Sequence, residues 1–236
     1  EKVMGQVSEE LGIKNPKETT KTSIGVTEFF GTAIGDTIGL VIASVDPLLT
    51  ETMGLGEFKS IGIIGGRIGA GPQIMAVDDA IKATNTEIIT VELPRDTKGG
   101  AGHGSLIYIG AHDVSDARRA VEIALESLPK YFGDVYSNDA GHLEFQYTAR
   151  ASYCLESVFN TPLGKSFGMV CAGPAAIGTV LADTAVKSAN VEVVSYSSPK
   201  AGTSYSNEVI LTFSGDSGAV RQAVRAAREV GIKLLG

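Results

Sequence analysis

Tryptophan is missing from this chain, and all aromatic residues together make up 6% of it. Platforms that stack successive bases are therefore not expected, since each needs a row of exposed rings. Positive charge is also scarce: 20 Lys and Arg stand against 27 Asp and Glu, a formal net charge of −7. That balance argues against a general nucleic-acid surface and against binding to an anionic membrane. The longest uncharged stretch, Ser166 to Ala182, contains Gly and Pro and falls short of the ~20 apolar residues of a spanning helix. Cysteine is confined to Cys154 and Cys171, both in apolar or small-residue surroundings, which reads as buried thiols rather than a disulfide or reactive pair. No secretory signal is legible, so a cytoplasmic protein is expected.

Catalytic signatures are absent as well. His103, His112 and His142 have neither the helical nor the loop spacing of a zinc site, and no Cys lies near them in sequence. Solvated or hydrogen-bonded rings are expected, and no metal. No G-x-S-x-G elbow occurs, and no nucleophile pairs with a base at recognisable spacing. The sequence thus assigns no catalytic residue and calls for no cofactor.

What the chain does contain is a duplication. Asp78-Asp79-Ala80-Ile81-Lys82-Ala83-Thr84-Asn85-Thr86-Glu87-Ile88-Ile89 returns 105 residues later, from Asp183 to Val194. The same offset holds at Pro94/Pro199 and Gly110/Gly215. A repeat this long exceeds a solenoid unit of ~20–50 residues and matches a small domain. The chain divides into an N-terminal extension, 1–22, and two units, 23–133 and 134–236. In the extension Val3, Met4, Val7, Leu11 and Ile13 form a weak helical pattern before a polar linker, which suits a short docking helix.

In the first unit, strands are expected over 37–45, 58–65, 87–93 and 105–110. Asp46-Pro47 opens a short helix; further helices cover 73–84, with Asn85 as a left-handed cap, and 113–128. In the second unit strands cover 167–172, 191–196 and 209–213, and helices 175–189 and 217–230. Residues 134–140 read as a polar link. Leu143 to Thr148 alternates like a strand and partly echoes Glu28 to Thr32. Strand, helix, strand, strand, helix in each copy predicts an α+β, sandwich-like fold: a small sheet, mixed or mainly antiparallel, with helices on one face.

Several motifs invite chemistry. Gly65-Gly66-Arg67-Ile68-Gly69-Ala70-Gly71 follows a strand and precedes a helix, as a phosphate loop does, but lacks the G-x-G-x-x-G spacing. Gly164-Lys165-Ser166 ends like a P-loop without its first glycine. The loops 94–104 and 199–207 are long for hairpin connections and rich in Gly, Ser and Thr. They suit a polar lining where hydroxyls and amides replace water around a small neutral solute. Lys82 and Lys187 hold matching places, which suggests one edge contact used twice.

Ala182-Asp183-Thr184-Ala185-Val186-Lys187-Ser188-Ala189-Asn190-Val191 resembles the signature of bacterial microcompartment shell domains. Phe213 to Val220 resembles the strand-to-helix segment of the same family, and Val77 to Glu87 is a diverged copy of the signature. Two such domains, with a strand and short helix around 37–54 preceding the core unit, resemble the tandem, circularly permuted, trimer-forming branch. Gly35 to Ala43, Glu92 to Ser105 and Gly215 to Ala223 are similar to the propanediol-utilisation type, with the ethanol-utilisation type a close second.

The resemblance implies a homotrimer of six domains that tiles edge to edge with other shell proteins around enzymes. It implies edge contacts at Lys82 and Lys187. It implies pore loops carrying Asp96, Thr97, Lys98, Gly99, Gly100 and His103, and Thr203, Ser204, Ser206 and Asn207. Small polyols such as glycerol or 1,2-propanediol would pass through polar channels, with Asp36, Asn138 and Asp139 as candidate contacts. Residues 1–22 would attach encapsulated enzymes. Two rival readings are a phosphate- or nucleotide-binding enzyme using Gly65–Gly71, and a cargo adaptor acting through 1–22 alone.

Overall fold

The computed structural model describes residues 27–94, 103–203 and 205–236. The first unit runs β1 (Thr27–Ala33), β2 (Thr37–Ile42), α1 (Pro47–Thr52), β3 (Ser60–Gly66), α2 (Gly71–Ala83), β4 (Thr86–Glu92), β5 (Ser105–Ala111) and α3 (Val114–Phe132). The second repeats that order: β6 (Val135–Asn138), β7 (Gly141–Thr148), α4 (Tyr153–Phe159), β8 (Ser166–Gly173), α5 (Ala175–Ser188), β9 (Val191–Ser197), β10 (Val209–Gly215) and α6 (Ser217–Leu235). Each unit holds one five-stranded sheet, ordered β1-β2-β3-β5-β4 and β6-β7-β8-β10-β9.

Every neighbouring pair is antiparallel. The crossover through α2 carries the chain from β3 to β4 in the same direction. β5 then inserts between them, so no parallel ladder forms. The same happens with β8, β9 and β10.

In each unit the long last helix packs on the sheet, and the crossover helix packs beside it. α3 is driven there by its sequence period, which buries Ala117, Ala120, Val121, Ala124 and Leu128 on one stripe. Its start is fixed by Asp113, whose carboxylate accepts from the Ser115 amide at 2.7 Å. Asp46 does the same for α1 through the Leu48 amide, with Pro47 in the first turn. Among the described residues no helix is long and apolar enough to cross a membrane.

Four local expectations need correcting. α3 does not stop at Leu128 but runs through Pro129 to Phe132. The missing proline N–H costs one helical bond, but the next turn is anchored by tertiary contacts. Tyr131 is buried and its hydroxyl donates to Asp79, while Phe132 packs into the space over Gly35. Asn85 is not a left-handed cap; α2 ends in an extended Thr84 whose hydroxyl donates to the Ala80 carbonyl at 2.8 Å. The stretch 134–140 is not a link, because it contains β6 and the turn into β7. The echo of Glu28–Thr32 in Glu144–Thr148 also fails: the first lies in an edge strand, the second in an interior one.

Candidate functional site at the seam between the two units

The two units are locked together by α4. It turns away from its own sheet and packs on α2 and β4 of the first unit. Cys154 and Leu155 are fully buried there, in one cluster with Ile74, Met75 and Ile81. A polar contact lies beside them. Asp78, buried in α2, accepts from the Ser152 amide at 3.1 Å and from the Ser152 hydroxyl. The same Asp78 carboxylate pairs with Lys82 one turn on. Ser152 is also the α4 cap, accepting from the Cys154 amide at 3.2 Å.

The matching surfaces at the far ends of the chain have no cover. Counted from their caps, Leu48 and Leu49 of α1 correspond to Cys154 and Leu155, yet they are 83% and 51% exposed where the latter are 0%. On α5, Val180 corresponds to Met75 and is 46% exposed against 1%. Val186, Val193 and Tyr196, the counterparts of Ile81, Ile88 and Val91, are exposed as well. Asp183 pairs with Lys187 at 2.7 Å in the open, where Asp78 pairs with Lys82 under cover.

A polar cluster lies beside the seam. β7, β8 and β10 are neighbours, with His142 opposite Gly173 and Val209 opposite Ala172. His142 and Glu208 therefore flank Gly173 on the same face, and Cys171 lies two residues along. The row depends on that glycine: a Cβ there would stand 2.7 Å from His142 Cε1 and 2.9 Å from the Asn207 carbonyl oxygen. His142 Nε2 is 3.4 Å from Glu208 Oε2, and Cys171 Sγ is 4.0 Å from His142 Nε2 and 3.9 Å from Glu208 Oε2. From the first unit His103 brings Nδ1 to 2.7 Å from Glu208 Oε1. That contact is one of proximity, because no N–H is aligned on the oxygen.

All of these side chains are buried. They line a cavity together with Gly71, Leu93, Glu144 and Met169. Burial raises the Glu208 carboxyl, but the two imidazoles outweigh it and hold the group down at about 2. Glu144 has weaker compensation, and burial lifts it to about 7. Burial, with the carboxylates of Glu208 and Glu144 close by, pushes the Cys171 thiol well up.

At the same end of the first unit's sheet, on the face that the helices cover, Thr37, Gly66 and Ser105 form a row. The Gln73 amide lies over it, donating to Thr37 Oγ1 at 3.0 Å and to the Ile68 carbonyl at 3.1 Å. Gln73 Oε1 and Ser105 Oγ are buried without a partner. The neutral hydroxyl-and-amide row of the first unit thus lies under its helices, whereas the imidazole, thiol and carboxylate of the second unit lie on the other face of its sheet.

The paired geometry has a counterpart among known proteins. The pattern described as the BMC domain matches residues 60–139 and again 166–236. This chain belongs to the bacterial microcompartment (BMC) domain family. It is 63% identical over 215 residues to the bacterial microcompartment shell protein PduB of Citrobacter freundii, covering 91% of this chain and 80% of that one. A crystal structure of a trimeric PduB shell protein superposes with a TM-score of 0.85 at 55% identity, covering 88% of this chain and 92% of that one. The structure of EtuB from Clostridium kluyveri gives 0.86 at 58% identity, with the same coverage.

Within this BMC pair the predicted residues are scattered. Asp96, Thr97, Lys98, Gly99, Gly100 and Ser204 lie outside the described residues, as does the 1–22 extension. Thr203 is buried and its hydroxyl donates to the Ser206 carbonyl at 3.1 Å. Asn207 Oδ1 accepts from the Ala175 amide at 3.1 Å, at the start of α5. Asp36 stands exposed in the β1–β2 turn with a φ of 48°, and Asp139 stands exposed in the matching β6–β7 turn. Asn138 builds that second turn, accepting from the Ala140 and Gly141 amides at 2.9 and 3.2 Å and donating to the Leu235 carbonyl at 3.0 Å.

His103 and His142 are not solvated, and Cys171 does lie beside His142. The strand register makes that neighbour, and linear spacing could not reveal it. Glu144, Glu208, Gln73, Thr37 and Ser105 escaped the sequence reading. The alternation of His142, Glu144 and Gln146 along one strand face was the available signal.

Proposed function

We propose that this chain is a structural shell protein of a bacterial microcompartment, of the kind serving propanediol or glycerol use. It is built as a homotrimer whose six BMC units form a pseudohexameric tile. The observation that carries this is the uncovered second half of the seam. α4 on α2 and β4 is a finished interface, and α1 at one end of the chain with α5 and β9 at the other is the same interface cut open. Joining open ends head to tail repeats one rotation, and a repeated rotation that closes makes a ring. Six units in a closed ring are three chains. The relatedness to a trimeric PduB supports the same count.

The two units are taken as 23–133 and 134–236. The loops around 96–103 and 203–207 line the central opening, and Lys82 and Lys187 sit on the rim where tiles meet. Small polyols cross at the unit boundaries. Buried hydroxyl and amide groups with spare capacity, such as Ser105 and Gln73, hydrogen-bond a diol or triol better than an aldehyde. Asp36 and Asp139 stand in the turns leading to those rows. The extension 1–22 attaches enzymes to the inner face.

The phosphate-loop enzyme loses its site in this arrangement. The first turn of α2 is buried, and a Cβ on Gly71 would collide with Glu144, whose carboxyl occupies the place an anion would take. Analytical ultracentrifugation of the purified chain tests the proposal. A trimer is expected, with Leu49→Glu reduced to a folded monomer. A monomeric wild-type protein would overturn it.

A further inference from the structure

We propose that the second unit contains a zinc site formed by His142 Nε2, Cys171 Sγ and Glu208, with His103 steadying the carboxylate and the fourth position open to the seam cavity. The argument begins with cost. An imidazole, a thiol and a carboxylate buried against apolar neighbours are expensive unless bonded to something. The matching places in the first unit hold Asp36, Gly65 and Gly104. The fold therefore requires neither an imidazole nor a thiol at this place.

The donor set comes next. One nitrogen, one sulfur and one oxygen suit Zn²⁺ better than Mg²⁺ or Ca²⁺, which take oxygen alone. Among the described residues this is the one group whose ligand atoms converge, all lying within 4.8 Å of one another. Zinc bonds at the tetrahedral angle place ligand atoms about 3.3–3.6 Å apart. Here the N–O separation is 3.4 Å and the two sulfur separations are 3.9 and 4.0 Å. The sulfur has only a few tenths of an ångström to move towards each partner. Zinc would displace the thiol proton to solvent and bind the thiolate.

The surroundings complete the case. His103 lies against the second oxygen of Glu208, where a ligand carboxylate wants its orienting partner. Glu208 Oε1 is buried without an aligned donor, so the network is incomplete as it stands. Three residues come from the second unit and His103 from the first, so a bound ion would also tie the two units together.

Elemental analysis of the full-length protein, purified with zinc and dialysed, should find about one zinc ion per chain. Cys171→Ser and His142→Gln should lose it. His103→Gln should keep the site but bind roughly 10–100-fold more weakly. Cobalt loaded into the wild-type protein should show a thiolate-to-cobalt charge-transfer band in the near ultraviolet, and this needs no variant to fold. Wild-type protein that takes up no zinc and gives no cobalt band would overturn the proposal. So would zinc that persists in folded Cys171→Ser and His142→Gln proteins, since it would then sit elsewhere. Oligomeric mass is unaffected by either result, so this test is separate from that of the shell assembly.

Discussion

Glu144 and Glu208 stand a few side chains apart at the seam and titrate in opposite directions. Glu144 is raised from its ordinary 4.5 to about 7, chiefly by burial. The folded state holds its proton where the unfolded chain has released it. Its contribution to stability is present below pH 4.5 and is lost as pH rises through 7, by at most about 3 kcal/mol. Glu208, held at about 2, contributes above pH 4.5 and loses that contribution as pH falls. Urea titrations of chelator-treated protein from pH 4.5 to 7.5 should show stability declining with pH, and Glu144→Gln should flatten the decline. Asp78 carries a different load at the same scale. Asp78→Ala leaves the Ser152 amide and hydroxyl without an acceptor and strips Lys82 of its partner. Because Lys82 is partly exposed, the expected cost is about 2–3 kcal/mol in the same assay.

Among the elements, α1 and α4 are one structure in two circumstances. Both start on a side-chain cap and place two apolar residues in the following turn. α4 finds α2 and β4 within its own chain, whereas α1 must find them in another. Leu155→Ala should therefore cost about 2–5 kcal/mol of folding stability in denaturant titrations. Leu49→Ala should leave folding nearly unchanged and instead raise the trimer's dissociation constant in sedimentation runs. Val193→Asp, on the opposite open face, should do the same. Capping and the Pro47 position made α1 readable in advance. The end of α3 was not readable, because Pro129 is a stop signal that Tyr131 and Phe132 override through contacts distant in sequence.

For the whole molecule, the prediction concerns separable surfaces. Lys187→Ala should leave the trimer's mass unchanged while thinning or abolishing extended sheets in negative-stain images. Removal of residues 1–22 should leave both trimer and sheet intact and release the enzymes from purified microcompartments. The repeat, the two units and the α+β class were legible because duplication and apolar periodicity are written along the chain. The strand order was less so, since periodicity does not say that β5 enters between β3 and β4. The seam cluster was hidden altogether: His103, His142, Cys171 and Glu208 are spread over more than a hundred positions.

By itself the sequence determined that one small domain occurs twice, where its helices begin, and which lysines match. Those are properties of neighbours along the chain, set by caps, periods and identity at a fixed offset. Only the tertiary structure decided which copy of each surface is covered and which imidazole meets which thiol. Register across strands and contact between units join residues that no local rule connects.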